Sequence, residues 1–256
     1  MPKPSRLAYH TGSLGPDQKA LARGLIWLKG EAEKRGGEGL IVVNGFDNLE
    51  GLTEIAGEGV VKALRKGGRV RIGAAMVRCV TERTMRTGDR AAAALILWPS
   101  PKLLDRVDAL LDVDAVCVVP WAEGEADPWI ATWRALNLSD PQTPAPAIEA
   151  SPLLEIALGT LTKSVNLGTG VGHPMDKDKA IATFTALRSV GETPGADELK
   201  AHLLRLRWSP GSANEVVDIA QKIFQGRSVR GTGSGPSPER LLALWKDLRK
   251  PPPPSS

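Results

Sequence analysis

The chain has 256 residues, 42% of them hydrophobic and 24% charged, with a formal net charge of +4. That length holds one large domain or two small ones, and the composition excludes a chain disordered throughout, a collagen-like fibre and a coiled coil. No apolar run approaches the roughly 18–20 residues that span a bilayer, and Met1–Arg6 opens no secretory leader.

The stretch 1–15 shows no periodicity and reads as a flexible tail. Pro16 then opens a helix whose Leu21, Leu25, Leu28 and Ala32 recur at helical spacing until Gly36-Gly37. Gly39–Val43 is a short, β-branched run that suits a strand buried on both faces. A second helix carries Leu52, Ile55, Val60 and Leu64 on one side, and Arg69–Ile72 alternates as a half-exposed strand should. Ala75–Arg90 is polar, basic and poorly periodic. Ala91–Trp98 is another apolar run, followed by Ser100-Pro101, a cap and a first-turn proline for a helix with Leu103, Leu104, Val107, Leu110 and Leu111. Ala115–Val119 is the next strand, and Asp127-Pro128 starts a helix with Ile130 and Trp133.

This alternation predicts a small Rossmann-like α/β domain over 16–138, with a mostly parallel sheet of about four strands. Residues 139–152 are dense in proline and read as a linker, with a boundary near Ala147. Beyond it the period becomes helical, and 153–230 reads as a C-terminal helical domain. Residues 231–250 read as a glycine- and serine-rich flexible linker leading to an amphipathic helix with Leu241, Trp245 and Leu248, a face that could meet a protein partner. A disordered tail, 251–256, closes the chain.

Charge is uneven. Lys62–Arg90 carries nine basic residues against two acidic, and Asp105–Asp127 carries seven acidic against Arg106 alone. The two blocks either neutralise each other or leave a cationic site for a phosphate-bearing ligand. In open α/β sheets ligands bind beyond the carboxyl ends of the strands. Those ends supply Asn44, Asp47 and Asn48 after the first strand and Arg78, Arg83 and Arg86 after the second. Trp98 and Ser100 follow the third, and Trp121 and Glu123 the fourth. The expected ligand is therefore anionic: a phosphate compound, a nucleotide or nucleic acid.

Other motifs are weaker. Gly168–Gly172 resembles a phosphate loop but is followed by His173-Pro174, with Asp176 and Asp178 in the next turn, which suits a capped structural turn. The three histidines and two cysteines have no metal-ligand spacing. Cys79, among arginines, is the best nucleophile candidate, while Cys117 sits in an apolar strand. The two cysteines form no disulfide framework, which suits a reducing, cytoplasmic setting. Helices near 199–206 and 216–224 have helix-turn-helix proportions, but Ser212, Ala213, Asn214 and Glu215 make a poor base-reading start. The expectation is a binding or regulatory protein for an anionic ligand. A small-molecule enzyme using Asp47 or Cys79 at the same sheet edge, or a helical interaction module, is the alternative.

Overall fold

A computed structural model of the protein describes residues 7–110 and 112–249. Leu111 of the expected helical stripe, the first six residues of the expected tail and the stretch 251–256 lie outside them. The chain divides between Ala147 and Ile148 into two compact units, the first mixed α/β and the second helical.

The strands of the first unit are β1 (Leu7–His10), β2 (Gly39–Val43), β3 (Arg69–Ile72), β4 (Ala75–Thr81), β5 (Arg90–Ala91), β6 (Ala93–Leu97), β7 (Asp112–Val113), β8 (Ala115–Val119), β9 (Leu136–Asn137) and β10 (Asp140–Pro144). β5 and β7 pair only with each other. The rest form one sheet of eight strands, more than the four expected, in the order β10-β9-β1-β8-β6-β2-β4-β3. The six strands from β9 to β4 run parallel, and β3 and β10 close the two edges antiparallel.

Every residue of β2, β6 and β8 is buried, because these runs place no polar side chain on either face. Alternation sends Ile41, Val43, Leu95, Leu97, Cys117 and Val119 to one side. There they pack on Leu21, Leu25 and Leu28 of α1 (Gln18–Arg35). The same layer holds a 3₁₀ segment (Phe46–Leu52), α2 (Thr53–Ala56) and α3 (Glu58–Arg65). Leu40, Val42, Ile96, Val116 and Val118 point the other way, onto α4 (Pro101–Asp108) and α5 (Asp127–Trp133). Helices on both faces explain why the central strands lack an exposed polar side.

The added strands are those with the weakest sequence signal. β1 lies within the expected tail and pairs with β8 from Leu7 to His10. β10 lies within the proline-rich stretch. Pro141 and Pro144 are tolerated because an edge strand has one ladder of bonds to spare. Arg69–Ile72 is a strand, but at the antiparallel edge. The inner position belongs to β4, reached through the two-residue Gly73-Ala74 turn with Gly73 at φ 63°.

The second unit has five helices: α6 (Pro152–Ser164), α7 (Pro174–Ser189), α8 (Ala196–Arg205), α9 (Pro210–Phe224) and α10 (Pro238–Leu248). Four of them begin with proline after a capping side chain: Ser151, His173, Ser209 or Ser237. A proline there gives up an N–H that the helix cannot use, while the cap satisfies a neighbouring one. Leu154, Leu158, Phe184, Leu187, Leu203, Val216 and Trp245 form its buried interior.

Candidate functional site at the C-terminal edge of the sheet

The chain leaves β2 through the 3₁₀ segment toward β3 and β4, and leaves β6 through α4 on the opposite face toward β8. The point between β2 and β6 is thus where the winding direction reverses, the usual ligand position in such sheets. Here the two loops are tied together. Asn44 Nδ2 donates to the Trp98 carbonyl at 2.6 Å, and Asn44 Oδ1 accepts from Ser100 N at 3.4 Å.

Trp98 is the hub of this edge. Its indole Nε1 donates to the Gly15 carbonyl at 3.3 Å, reaching the loop after β1. A Cβ on Gly51 would lie 3.0 Å from its ring, so the 3₁₀ segment packs closely against it. Its ring meets that of Trp121, after β8, edge-on at 5.0 Å between centroids. Trp98 holds φ 51°, in the left-handed region that a bulky side chain rarely occupies. Trp98 is buried, whereas Trp121 is 49% exposed. The Trp121 loop is fixed as well: the Glu125 carboxylate accepts from Trp121 N at 2.6 Å and Ala122 N at 3.2 Å.

The six candidate ligand residues separate into groups. Asn44 is spent on bridging the β2 and β6 loops. Asn48 Oδ1 accepts from Gly45 N at 3.0 Å and closes the turn into the 3₁₀ segment. Asp47 is exposed on that turn. Arg78 does not follow a strand. It lies inside β4, opposite Leu40, with its guanidinium 2.9 Å from Glu38 and 3.1 Å from Asp89. Its alternation with Val77 and Cys79, which face the core, is hidden in the sequence by the surrounding basic residues. Arg83 and Arg86 are exposed on the loop after β4, and among the described residues neither guanidinium has a hydrogen bond or ion pair.

That loop starts beside Asn44, since Glu82 N donates to the Val43 carbonyl at 2.8 Å. From α4, Lys102 pairs with Glu82 at 2.6 Å and Arg106 donates to the Met85 carbonyl at 2.6 Å. Arg83 therefore stands at the edge, whereas Arg86 lies in the turn leading to β5, where its backbone N–H donates to the Asp89 carboxylate at 2.6 Å. Elsewhere in the basic block, Arg65 pairs with Glu50, Arg69 with Glu38 and Arg90 with Asp112. Arg69, Arg78 and Arg90 line a depression of about 430 Å³ with Glu38 and Asp89, at the opposite edge, before β2. Its carboxylates already answer its cations.

The remaining chemistry is quiet. Burial pushes the Cys79 thiol up to about 12 and the Cys117 thiol higher still, so neither is a thiolate near neutral pH. Asp17 caps α1, and the Lys19 N–H bonded to it holds its carboxyl below the usual range. That carboxylate would repel a phosphate at the α1 N-terminus. Arg23 reaches back to the Thr11 carbonyl and Ser13 Oγ, bracing the loop after β1 from within. Sequence reasoning placed Trp98 and Trp121 at strand ends but missed their partnership. The available signal was a large aromatic immediately after each of two buried strands.

In the helical unit, the glycine-rich segment before α10 is strapped down. Asp178 of α7 accepts from Thr232 N at 2.8 Å, Ser234 N at 2.9 Å, Ser234 Oγ at 3.2 Å and the Thr232 hydroxyl. A Cβ on Gly235 would lie 2.7 Å from the Asp178 carbonyl, so this glycine serves close approach. The face of α10 expected to meet a partner is largely used within the chain. Leu241 and Trp245 are buried in the unit, where α10 packs on α6 and α7, leaving Leu244 and Leu248 exposed. The exposed side of α9 carries Glu215 and Asp218, which oppose a phosphate backbone.

Residues 150–246, within this helical unit, match the family model described as a domain of unknown function (DUF1889). No curated protein and no solved structure matches the chain. Among the described residues, no helix is long and apolar enough to cross a membrane.

Proposed function

We propose that this is a cytoplasmic binding or regulatory protein whose α/β unit holds an anionic ligand, a phosphate compound or nucleotide, at the C-terminal edge of its sheet. The observation that carries the reading is Arg83: exposed, its guanidinium without a carboxylate partner, on the loop that starts beside the turn bearing Asn44, Asp47 and Asn48, with the free guanidinium of Arg86 further along the same loop. Four other arginines of the basic block, Arg65, Arg69, Arg78 and Arg90, are neutralised by carboxylates. Asp47 supplies an acceptor for a ligand hydroxyl. Arg78 is withdrawn from the ligand and assigned to holding β4. Two free cysteines fit a reducing setting.

The test is a titration with inorganic tripolyphosphate at low ionic strength, following the melting temperature and the binding isotherm. A ligand at a hundred times its Kd stabilises the folded state by about 2.7 kcal/mol. The expected result is stabilisation of the wild type and at least roughly tenfold weaker binding by Arg83→Ala/Arg86→Ala, about 1.4 kcal/mol. Equal binding by both proteins, or none by the wild type, contradicts the proposal.

A further inference from the structure

We infer that Trp121 is a stacking platform for a nucleobase, so that the ligand of the C-terminal edge is a nucleoside polyphosphate. The inference rests on the anion-binding reading above and adds to it the identity of the other end of the ligand. An exposed indole at a loop tip ordinarily moves to cover its apolar surface. Trp121 instead stays half in solvent while held from two sides. The Glu125 carboxylate pins its backbone N–H and that of Ala122. The Trp98 ring supports it edge-on, at 81° between planes.

Trp98 keeps a left-handed backbone to do so, and its indole N–H, its carbonyl and its ring are engaged by the connections after β1, β2 and β8 respectively. Strain of this kind persists only where the surroundings impose it, and it concentrates at ligand clamps. The result is a rigid, pre-positioned aromatic face. Such faces bind bases by stacking irrespective of base identity.

Charge sets the direction of the ligand. Around Trp121 the chain is acidic, with Glu123, Glu125 and Asp127 and no nearby cation in sequence. Phosphates are repelled from that end, whereas the amino groups of a base find an acceptor in the exposed Glu123. The unpaired cations stand on the β4 loop. From β8 to β4 the sheet crosses β6 and β2, three strand spacings or roughly 14 Å. That separation suits a base at one end and a polyphosphate at the other, and is too long for free phosphate to use both.

The experiment compares ATP with inorganic tripolyphosphate on the full chain, by calorimetry and by quenching of indole emission. The expected result is tighter binding of ATP than of tripolyphosphate by wild type. Trp121→Ala should lose about tenfold in ATP affinity with tripolyphosphate affinity unchanged, and Trp121→Phe should keep most of the preference. Unchanged ATP binding by Trp121→Ala overturns the stacking platform, and tripolyphosphate bound through Arg83 and Arg86 leaves the anion site standing. Failure of the wild type to bind either probe overturns both. If Trp121→Ala weakens both probes equally, the preference for ATP does not come from Trp121, and the platform is overturned.

Discussion

Arg78 shows how much a residue's meaning depends on its register. It sits inside a strand with two carboxylates within 3.1 Å and with 16% of its side chain exposed. Removing it leaves Asp89 without its cation and Glu38 with Arg69 alone. Because the group is only partly buried, Arg78→Ala should cost about 1–3 kcal/mol, between surface and buried ion pairs. Tripolyphosphate affinity should stay as in wild type. Chemical denaturation and calorimetry check this; weakened binding with unchanged stability would place Arg78 at the ligand after all. Trp98 sets two effects against each other. Glycine there removes the left-handed penalty, about 1–2 kcal/mol, but forfeits a buried indole, about 3–5 kcal/mol. Both Trp98→Gly and Trp98→Ala should therefore destabilise, with the glycine variant milder by about 1 kcal/mol because the alanine variant keeps the strain. An alanine variant more stable than the glycine variant would show that the strain is not real.

At the scale of elements, α1 and α7 each make a test. Two glycines of α1 differ in surroundings. A Cβ on Gly24 would meet Leu95 Cδ1 at 2.8 Å, whereas Gly30 has nothing within 4 Å. Gly30→Ala should stabilise by about 0.5–1 kcal/mol through helix propensity. Gly24→Ala should destabilise by about 1–3 kcal/mol through overpacking against the sheet. Equal effects in urea melts would contradict the packing of α1. On α7, the hydroxyl and N–H donors of Thr232 and Ser234 lower the Asp178 carboxyl from 3.8 to about 2, with the Thr232 hydroxyl contributing most. The lowered pKa favours the folded form wherever the group is ionised. Its contribution is complete above about pH 4 and is lost as pH falls toward 2. The melting temperature of the helical unit should fall across that window, and less steeply in Asp178→Asn; identical slopes would remove the clasp. The same elements show where sequence pattern suffices. Leu40–Val43, Ala93–Leu97 and Ala115–Val119 are legible because a strand buried on both faces needs an unbroken apolar run. β4 hides its period of two behind Arg78. β1 and β10 are visible only through pairing with partners far away in sequence. The glycine- and serine-rich stretch that opens 231–250 reads as loose because the acceptor that fastens it lies some fifty residues earlier, at Asp178.

For the molecule as a whole, each unit builds its own core and bears different chemistry. The helical unit is where similarity to a known family lies, over residues 150–246. Its exposed α9 face carries Glu215 and Asp218, the latter paired with Lys222, and its glycine-rich segment is tied to α7. The α/β unit carries the reversal of winding, the paired tryptophans and the free arginines. Fold class was legible from alternating runs, but the site was only partly so. Its candidate residues follow from where strands end. Which of them are spent on one another, as Asn44 is on Trp98 and Ser100, follows only from three-dimensional adjacency. The central claim is that ligand occupies the C-terminal edge of the sheet rather than the arginine-lined depression at the other edge. Hydrogen–deuterium exchange of the full chain with and without saturating ATP tests it directly. The account predicts added protection at residues 44–48, 82–87, 98–100 and 120–125. Protection confined to Glu38, Arg69 and 88–90 would contradict it.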